Sequence, residues 1–298
     1  MKHLLKLEGM PSAAMEEILA SAEVIKAKRG GGEAKPLDGQ TWAMIFTKSS
    51  TRTRVSFEVG IRELGGSVMF LNANDMQLGR GEPIKDTARV LGRMVHGAVI
   101  RTFAQADVEE FAEYSGIPTI NALTDDEHPC QILTDIFTFQ ERRGPIRGKV
   151  VTYVGDGACN VPVSWIHAAA ALDFELRIAA PAEFQPSAET LAKAGGHIVC
   201  TEDVRSAVEG ADMVYTDVWV SMGMEAEAEE RLAKLAGYQI NGGLMCLAKP
   251  DALVMHCLPA YRGKEIDAET FEAHADTIFT QAENRLHTQK AILAWLAG

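Results

Sequence analysis

Short apolar runs and helically spaced apolar positions alternate along nearly the whole chain. Runs bounded by turn-forming residues read as buried strands, and apolar positions three and four apart read as amphipathic helices. In the first half this pattern predicts strands over 41–46, 67–71, 97–102 and 117–121, with helices over 53–64, 84–95, 107–115 and 129–142. A second series follows, with strands near 149–154, 174–180, 197–200, 212–217 and 253–257 and helices near 161–172, 186–194, 203–209 and 225–236. Alternation of this kind belongs to parallel sheets covered by helices on both faces. The expected fold is α/β: two doubly wound parallel-sheet domains with the active site in the cleft between them, since ligands gather beyond the carboxyl ends of such strands.

The charged stretch Gln140–Gly148, which contains Gly144 and Pro145, reads as a linker between domains over 1–140 and 149–282. The last segment, about 283–298, has helical spacing through Leu286, Ile292, Leu293 and Leu296 and is expected to pack back onto the first domain. A chain of 298 residues supports the same division, because single cores seldom grow much beyond about 150 residues.

Charge narrows the partners. Lys and Arg number 29 against 41 Asp and Glu, a formal charge of -12, which argues against nucleic acid or an anionic membrane. No apolar run has the length of a membrane span, and the start Met1-Lys2-His3-Leu4-Leu5-Lys6 lacks a secretory apolar region, so a cytoplasmic protein is expected. Five cysteines without a C-x-x-C pair argue against a disulfide framework, and eight histidines without paired ligand spacing give no reason to expect a metal. No cofactor is called for.

Chemistry concentrates at strand ends. Lys48-Ser49-Ser50-Thr51-Arg52-Thr53-Arg54 follows the apolar run 42–46 and opens a helix. Unpaired N–H groups and the positive dipole end favour an anion there, and Arg52 and Arg54 offer planar forks for phosphate. An N-capping run with solvated arginines is the plainer alternative. His128-Pro129-Cys130-Gln131 opens another helix, where His128 can donate to a carbonyl oxygen and Gln131 can read an amide; Arg101 ends a strand nearby in the pattern. Asp217 and Ser221, after the strand at 212–217, suit the charged ends of an amino acid. In Met255-His256-Cys257-Leu258-Pro259 the thiol and imidazole are neighbours on a strand and point to opposite faces, which disfavours a Cys–His nucleophile. Gly155-Asp156-Gly157 begins like a dinucleotide fingerprint, but Asn160 stands where its third glycine belongs.

Taken in order, the stretches STRTR, HPCQ, DVWVSMG, HCLPA and ENRLHTQ, with GRGEPIKDTARVLGRM at 79–94, resemble the aspartate/ornithine carbamoyltransferase family, and its ornithine-using branch in particular. The resemblance runs from about residue 40 to the C-terminus. It implies a carbamoyl-phosphate domain followed by an ornithine domain, a homotrimer or multiple of trimers with shared active sites, and carbamoyl transfer to the side-chain amine of L-ornithine. Carried over by position, Ser50, Thr51, Arg52 and Thr53 hold phosphate and Arg101 bridges phosphate and carbonyl oxygen. His128 donates to that oxygen. Gln131, Arg285 and the backbone of Cys257 and Leu258 orient the carbamoyl amine, and Gln77 reaches into a neighbouring subunit's site. Asn160, Asp217, Ser221 and Met222 bind ornithine, with Asp217 and Cys257 aiming the amine. Ser49 replaces a common proline, and Cys159 and Val163 stand where the family often has asparagine. The competing readings are a sibling enzyme using acetylornithine or putrescine, a nicotinamide-dependent dehydrogenase, and a catalytically silent phosphate-binding partner protein.

Overall fold

The structure, a computed structural model, describes residues 1–32, 34–72, 81–195, 197–221 and 225–298. The chain forms two compact units, residues 1–137 with 284–298 and residues 138–283. Both are α/β with wholly parallel sheets.

In the first unit the strands are β1 (Thr41–Phe46), β2 (Ser67–Asn72), β3 (Gly97–Arg101) and β4 (Thr119–Leu123), in the spatial order β2-β1-β3-β4. The chain winds outward from β1 to β2, then returns past β1 to begin β3. That reversal makes the β1/β3 edge the topological switch point, where strand ends leave a crevice. Gly97 permits the close packing of β3 on β1, because a Cβ there would sit 2.6 Å from the buried Trp42 ring. The helices are α1 (Ser12–Ala27), α2 (Arg52–Glu63), α3 (Ile84–Leu91), α4 (Gln105–Ser115) and α5 (Pro129–Arg143), which continues into the second unit. Near the amino end, Leu4 pairs with the outer edge of β4 through Leu4 N–H to Thr119 O at 3.0 Å and Asn121 N–H to Leu4 O at 2.7 Å.

The second unit holds β5 (Val150–Val154), β6 (Glu175–Ala179), β7 (Ile198–Thr201), β8 (Met213–Thr216) and β9 (Leu253–His256), ordered β7-β6-β5-β8-β9. Its switch point lies between β5 and β8. Helices α6 (Asn160–Leu172), α7 (Ala188–Ala194), α8 (Val204–Val208), α9 (Ala228–Leu235), α10 (Gly242–Met245) and α11 (Ala268–Ala273) connect them. Tyr153, Trp165, Phe174 and Tyr215 are buried in one aromatic group, with Trp165 edge-on to both Phe174 and Tyr215.

The final helix α12 (Ala275–Ala297) begins well before the expected residue 283. From residue 284 it belongs to the first unit and packs on α2: Gly60 faces Lys290 and Leu286, and the buried Lys290 ammonium meets Glu63 at 2.7 Å. Other boundaries also move for local reasons. β4 starts two residues late because Pro118 has no N–H to give the ladder, although its carbonyl accepts from Ala98. α3 stops at Leu91 rather than 95 because the backbone beyond it tightens into three-residue turns, Arg93 N–H to Val90 O at 3.2 Å and Met94 N–H to Leu91 O at 2.9 Å. α5 runs through Arg143, into the expected linker, and ends at Gly144 with φ +74°. α1 occupies a stretch to which the pattern assigns no element. Among the described residues, no helix is long and apolar enough to cross a membrane.

Candidate active site

In the first unit the predicted anion-binding residues gather at the β1/β3 switch point. α2 begins at Arg52, so the N–H groups just before and at its start have no intrahelical carbonyl to serve. Ser50 Oγ accepts from Thr53 N–H at 3.3 Å, and Thr53 Oγ1 accepts from Arg285 Nη2 at 2.5 Å. The α2–α12 packing therefore carries a buried guanidinium to the helix start. A second lies on β3: the pairing with β4 shifts register between Ile100 and Arg101, an irregularity that re-aims a strand-end side chain, and Arg101 is buried. Its carbonyl accepts from Thr47 N–H at 2.9 Å, joining the end of β3 to the loop after β1.

His128 and Gln131 start α5. The turn before them closes on itself through Glu127 N–H to Thr124 Oγ1 at 3.1 Å and Thr124 N–H to Glu127 O at 3.0 Å, and the Glu127 carboxylate accepts from Leu7 N–H at 2.8 Å. His128 is buried, and burial together with the positive charges of Arg285 and Arg101 holds its pKa well below the ordinary 6.5. Its imidazole is neutral at neutral pH and can donate one N–H without a charge. Two buried polar atoms here have no partner among the described residues, Arg52 Nε as donor and Gln131 Oε1 as acceptor, while Gln131 Nε2 donates to Asp135 Oδ1 at 2.7 Å. Leaving such groups unmet costs about 1–3 kcal/mol each, which a ligand with both a donor and an acceptor would recover.

The second unit gathers its own set at the β5/β8 switch point and the end of β9. Asp217, buried at the end of β8, accepts at Oδ1 from Val218 N–H at 2.7 Å and from Cys257 Sγ–H at 2.9 Å. Burial raises its pKa, opposed by those two hydrogen bonds. Beside it, His256 is fixed through both ring nitrogens: Nδ1 accepts from Leu258 N–H at 2.9 Å, so Nε2 carries the proton toward Glu265 Oε1 at 3.2 Å. Asp217, His256 and Cys257 offer metal-ligand atoms within 4.8 Å of one another, but the carboxylate, the thiol and both imidazole nitrogens are held by these hydrogen bonds. Leu258 has φ +59°, an uncommon conformation for a branched residue, which turns the backbone after β9. Asn160, half-buried, is the first residue of α6 after β5, and half-buried Ser221 follows β8.

Residues 2–141 match the family domain described as aspartate/ornithine carbamoyltransferase, carbamoyl-P binding domain, and residues 147–296 match the Asp/Orn binding domain of the same family. The chain belongs to the aspartate/ornithine carbamoyltransferase family. An ornithine carbamoyltransferase of Akkermansia muciniphila is 54% identical over 304 residues, spanning 100% of this chain and 98% of that protein. The solved ornithine carbamoyltransferase of Pyrococcus furiosus superposes with a TM-score of 0.92 at 44% identity, covering 100% of this chain and 97% of that one. The anabolic ornithine carbamoyltransferase of Campylobacter jejuni gives a TM-score of 0.93 at 42% identity, with 99% of each chain covered.

Within this carbamoyltransferase fold, Ser50, Thr51, Arg52, Thr53, Arg101, His128, Gln131 and Arg285 come from the β1, β3 and β4 ends and α12 of the first unit, and Asn160, Asp217, Ser221, Cys257 and Leu258 from the β5, β8 and β9 ends of the second. Gln77 and Met222 lie outside the described residues. Arg54 departs from the expectation. It sits two residues past Arg52 on the same helix, about 200° around the axis, and its exposed guanidinium stacks 3.7 Å from the Phe70 ring centroid beside Glu58. The Gly155-Asp156-Gly157 loop is committed to packing: Asp156 pairs with the buried Arg231, and a Cβ on Gly157 would lie 2.5 Å from Ile178. The sequence reading assigned no role to Lys48, which is buried and paired with Asp125, nor to Glu265. Glu265 is a fully buried acid eight residues past the thiol, and that separation alone gives no sign of its contact.

Proposed function

We propose that this chain transfers the carbamoyl group of carbamoyl phosphate to the side-chain amine of L-ornithine, giving L-citrulline and phosphate. The observation that carries this reading is the buried Asp217 carboxylate bonded to Cys257, an acid where an amine must be received. The full-length likeness to proteins named ornithine carbamoyltransferase supports the same substrate pair.

Residues 1–140 with the terminal helix bind carbamoyl phosphate. The α2 start, Ser50, Thr51, Arg52 and Thr53 hold the phosphate, and Arg101 spans phosphate and carbonyl oxygen. Residues 149–282 bind ornithine through Asn160, Asp217, Ser221 and Met222. Gln131 Oε1 accepts from the carbamoyl NH2, which Arg285 and the Cys257 and Leu258 backbone help orient.

The ornithine side-chain amine has a solution pKa near that of Lys, about 10.4, so only a small fraction is nucleophilic at neutral pH. Desolvation raises that fraction, and Asp217 with Cys257 aims the nitrogen at the carbonyl carbon. The N–C bond forms and a tetrahedral oxyanion develops, stabilised by Thr53, Arg101 and neutral His128. The C–O bond to phosphate then breaks, and the leaving phosphate takes the amine proton. No covalent enzyme intermediate is needed.

The reading includes a homotrimer in which Gln77 completes a neighbour's site. Edge strand β2, only partly covered, and the exposed Val55, Met69 and Met94 support a face of the first unit that packs on another copy. A cytoplasmic setting is the reducing compartment that suits five free cysteines. The test is phosphate release and citrulline formation with ornithine, acetylornithine and putrescine offered separately, together with the mass in solution by light scattering.

A further inference from the structure

Lys48 lies in the loop after β1, two residues before Ser50, and only 4% of its side chain is exposed. Its ammonium forms an ion pair with Asp125, in the loop after β4 and three residues before His128. The same ammonium sits 4.2 Å from the ring centroid of Phe103, in the loop after β3 and two residues past Arg101. Backbone contacts follow the same lines: Asp125 N–H donates to Phe103 O at 2.8 Å, and Thr47 N–H to Arg101 O at 2.9 Å. One buried cation, carried by the first of the three loops that bear the anion-site groups of the first unit, thus touches the other two.

We propose that Lys48 is a positioning residue, a clamp that sets the loops bearing Ser50–Thr53, Arg101 and His128 in the one geometry that receives carbamoyl phosphate. The inference deepens the carbamoyl-phosphate reading of that site and rests on it. Burying an ammonium is costly without a partner, and two partners from different loops supply an anion and an aromatic face. Separation of any one loop leaves the cation incompletely compensated, so the three move as one. The cation is turned to Asp125 and Phe103, which assigns it to holding the frame rather than to gripping phosphate.

Asp125→Asn gives a test in which the clamp and simple electrostatics have opposite signs. Removing a negative charge beside an anion site should tighten anion binding, because it relieves Coulomb repulsion. A clamp predicts weakening instead. Because the Asp125 side chain is 61% exposed, this variant is expected to fold, whatever the fate of Lys48→Met. The measurements are calorimetric affinity for inorganic phosphate and the KM values for both substrates in the wild type, Asp125→Asn, Lys48→Met and the double variant. The expected result is about tenfold weaker phosphate binding and a matching rise in carbamoyl-phosphate KM for each single variant, in line with the loss of one ion-assisted contact. Ornithine KM should stay within about twofold, and the double variant should be no weaker than Lys48→Met, because both changes break one contact. Phosphate affinity unchanged or improved in Asp125→Asn would overturn the clamp. Absence of phosphate and carbamoyl-phosphate binding in the wild type would instead overturn the reading of the site on which the clamp rests.

Discussion

On the proposed reading, Arg52, His128 and Asp217 serve the phosphate, the carbonyl oxygen and the amine in turn. Arg52→Ala removes a fork at the start of α2 without touching the core, so the fold should survive while affinity for carbamoyl phosphate falls by about ten- to a hundred-fold, the worth of charge-assisted hydrogen bonds; calorimetry and circular dichroism together check both halves. His128→Ala should lower the rate by about a hundred-fold or more, as for loss of one oxyanion donor, measured under saturating substrates. The same histidine gives a pH signature. Its folded pKa is held well below 6.5 while the unfolded chain titrates near 6.5, so its contribution to stability is complete above about 6.5 and declines as pH falls toward the folded pKa. Urea unfolding between pH 7.5 and 5.5 should therefore show a smaller loss in His128→Asn than in the wild type. Asp217→Asn should raise ornithine KM about tenfold or more and leave phosphate affinity largely intact. Their placement after β1, β4 and β8 was legible because a polar or charged group following an apolar run marks a strand end. Arg54 was misread because its direction depends on where α2 starts, and a shift of two residues along a helix reverses the face.

At the scale of elements, the positions of Arg101 and of the loop after β1 rest on how closely β3 lies against β1. Gly97→Ala places a methyl group against the Trp42 ring in a space measuring 2.6 Å, so the strands must part at the switch point. A stability loss of about 1–3 kcal/mol is expected from such overpacking, measurable as a lowered urea midpoint with unchanged slope. Strand existence was readable throughout, since β1, β3, β5, β8 and β9 are almost wholly buried and their sequences are nearly continuous apolar runs. Helix α1 was not. Its buried residues Met15, Ile18, Leu19 and Ala22 have the right spacing, but alanine on both faces weakens the contrast that marks an amphipathic helix. The register shift at Arg101 and the contact of Lys48 with two other loops depend on tertiary placement, and no local pattern encodes them.

Across the whole molecule, two parallel sheets of different strand number repeat one solution: chemistry placed where the winding direction reverses, between β1 and β3 in one unit and between β5 and β8 in the other. The first unit collects guanidinium groups, hydroxyls and a neutral imidazole suited to a phosphorylated carbonyl compound, and the second a buried acid and thiol suited to an amine. The fold class was visible in the strand–helix alternation, and the reaction in five short stretches whose order and separation carry more information than any of them alone. The decisive measurement is a steady-state assay with carbamoyl phosphate and each of ornithine, acetylornithine and putrescine, following phosphate and the carbamoylated product. Citrulline and phosphate formed in equal amounts from ornithine, with the other two amines used far less efficiently, is the predicted result. No phosphate release with ornithine, or a higher kcat/KM for putrescine or acetylornithine, would contradict it.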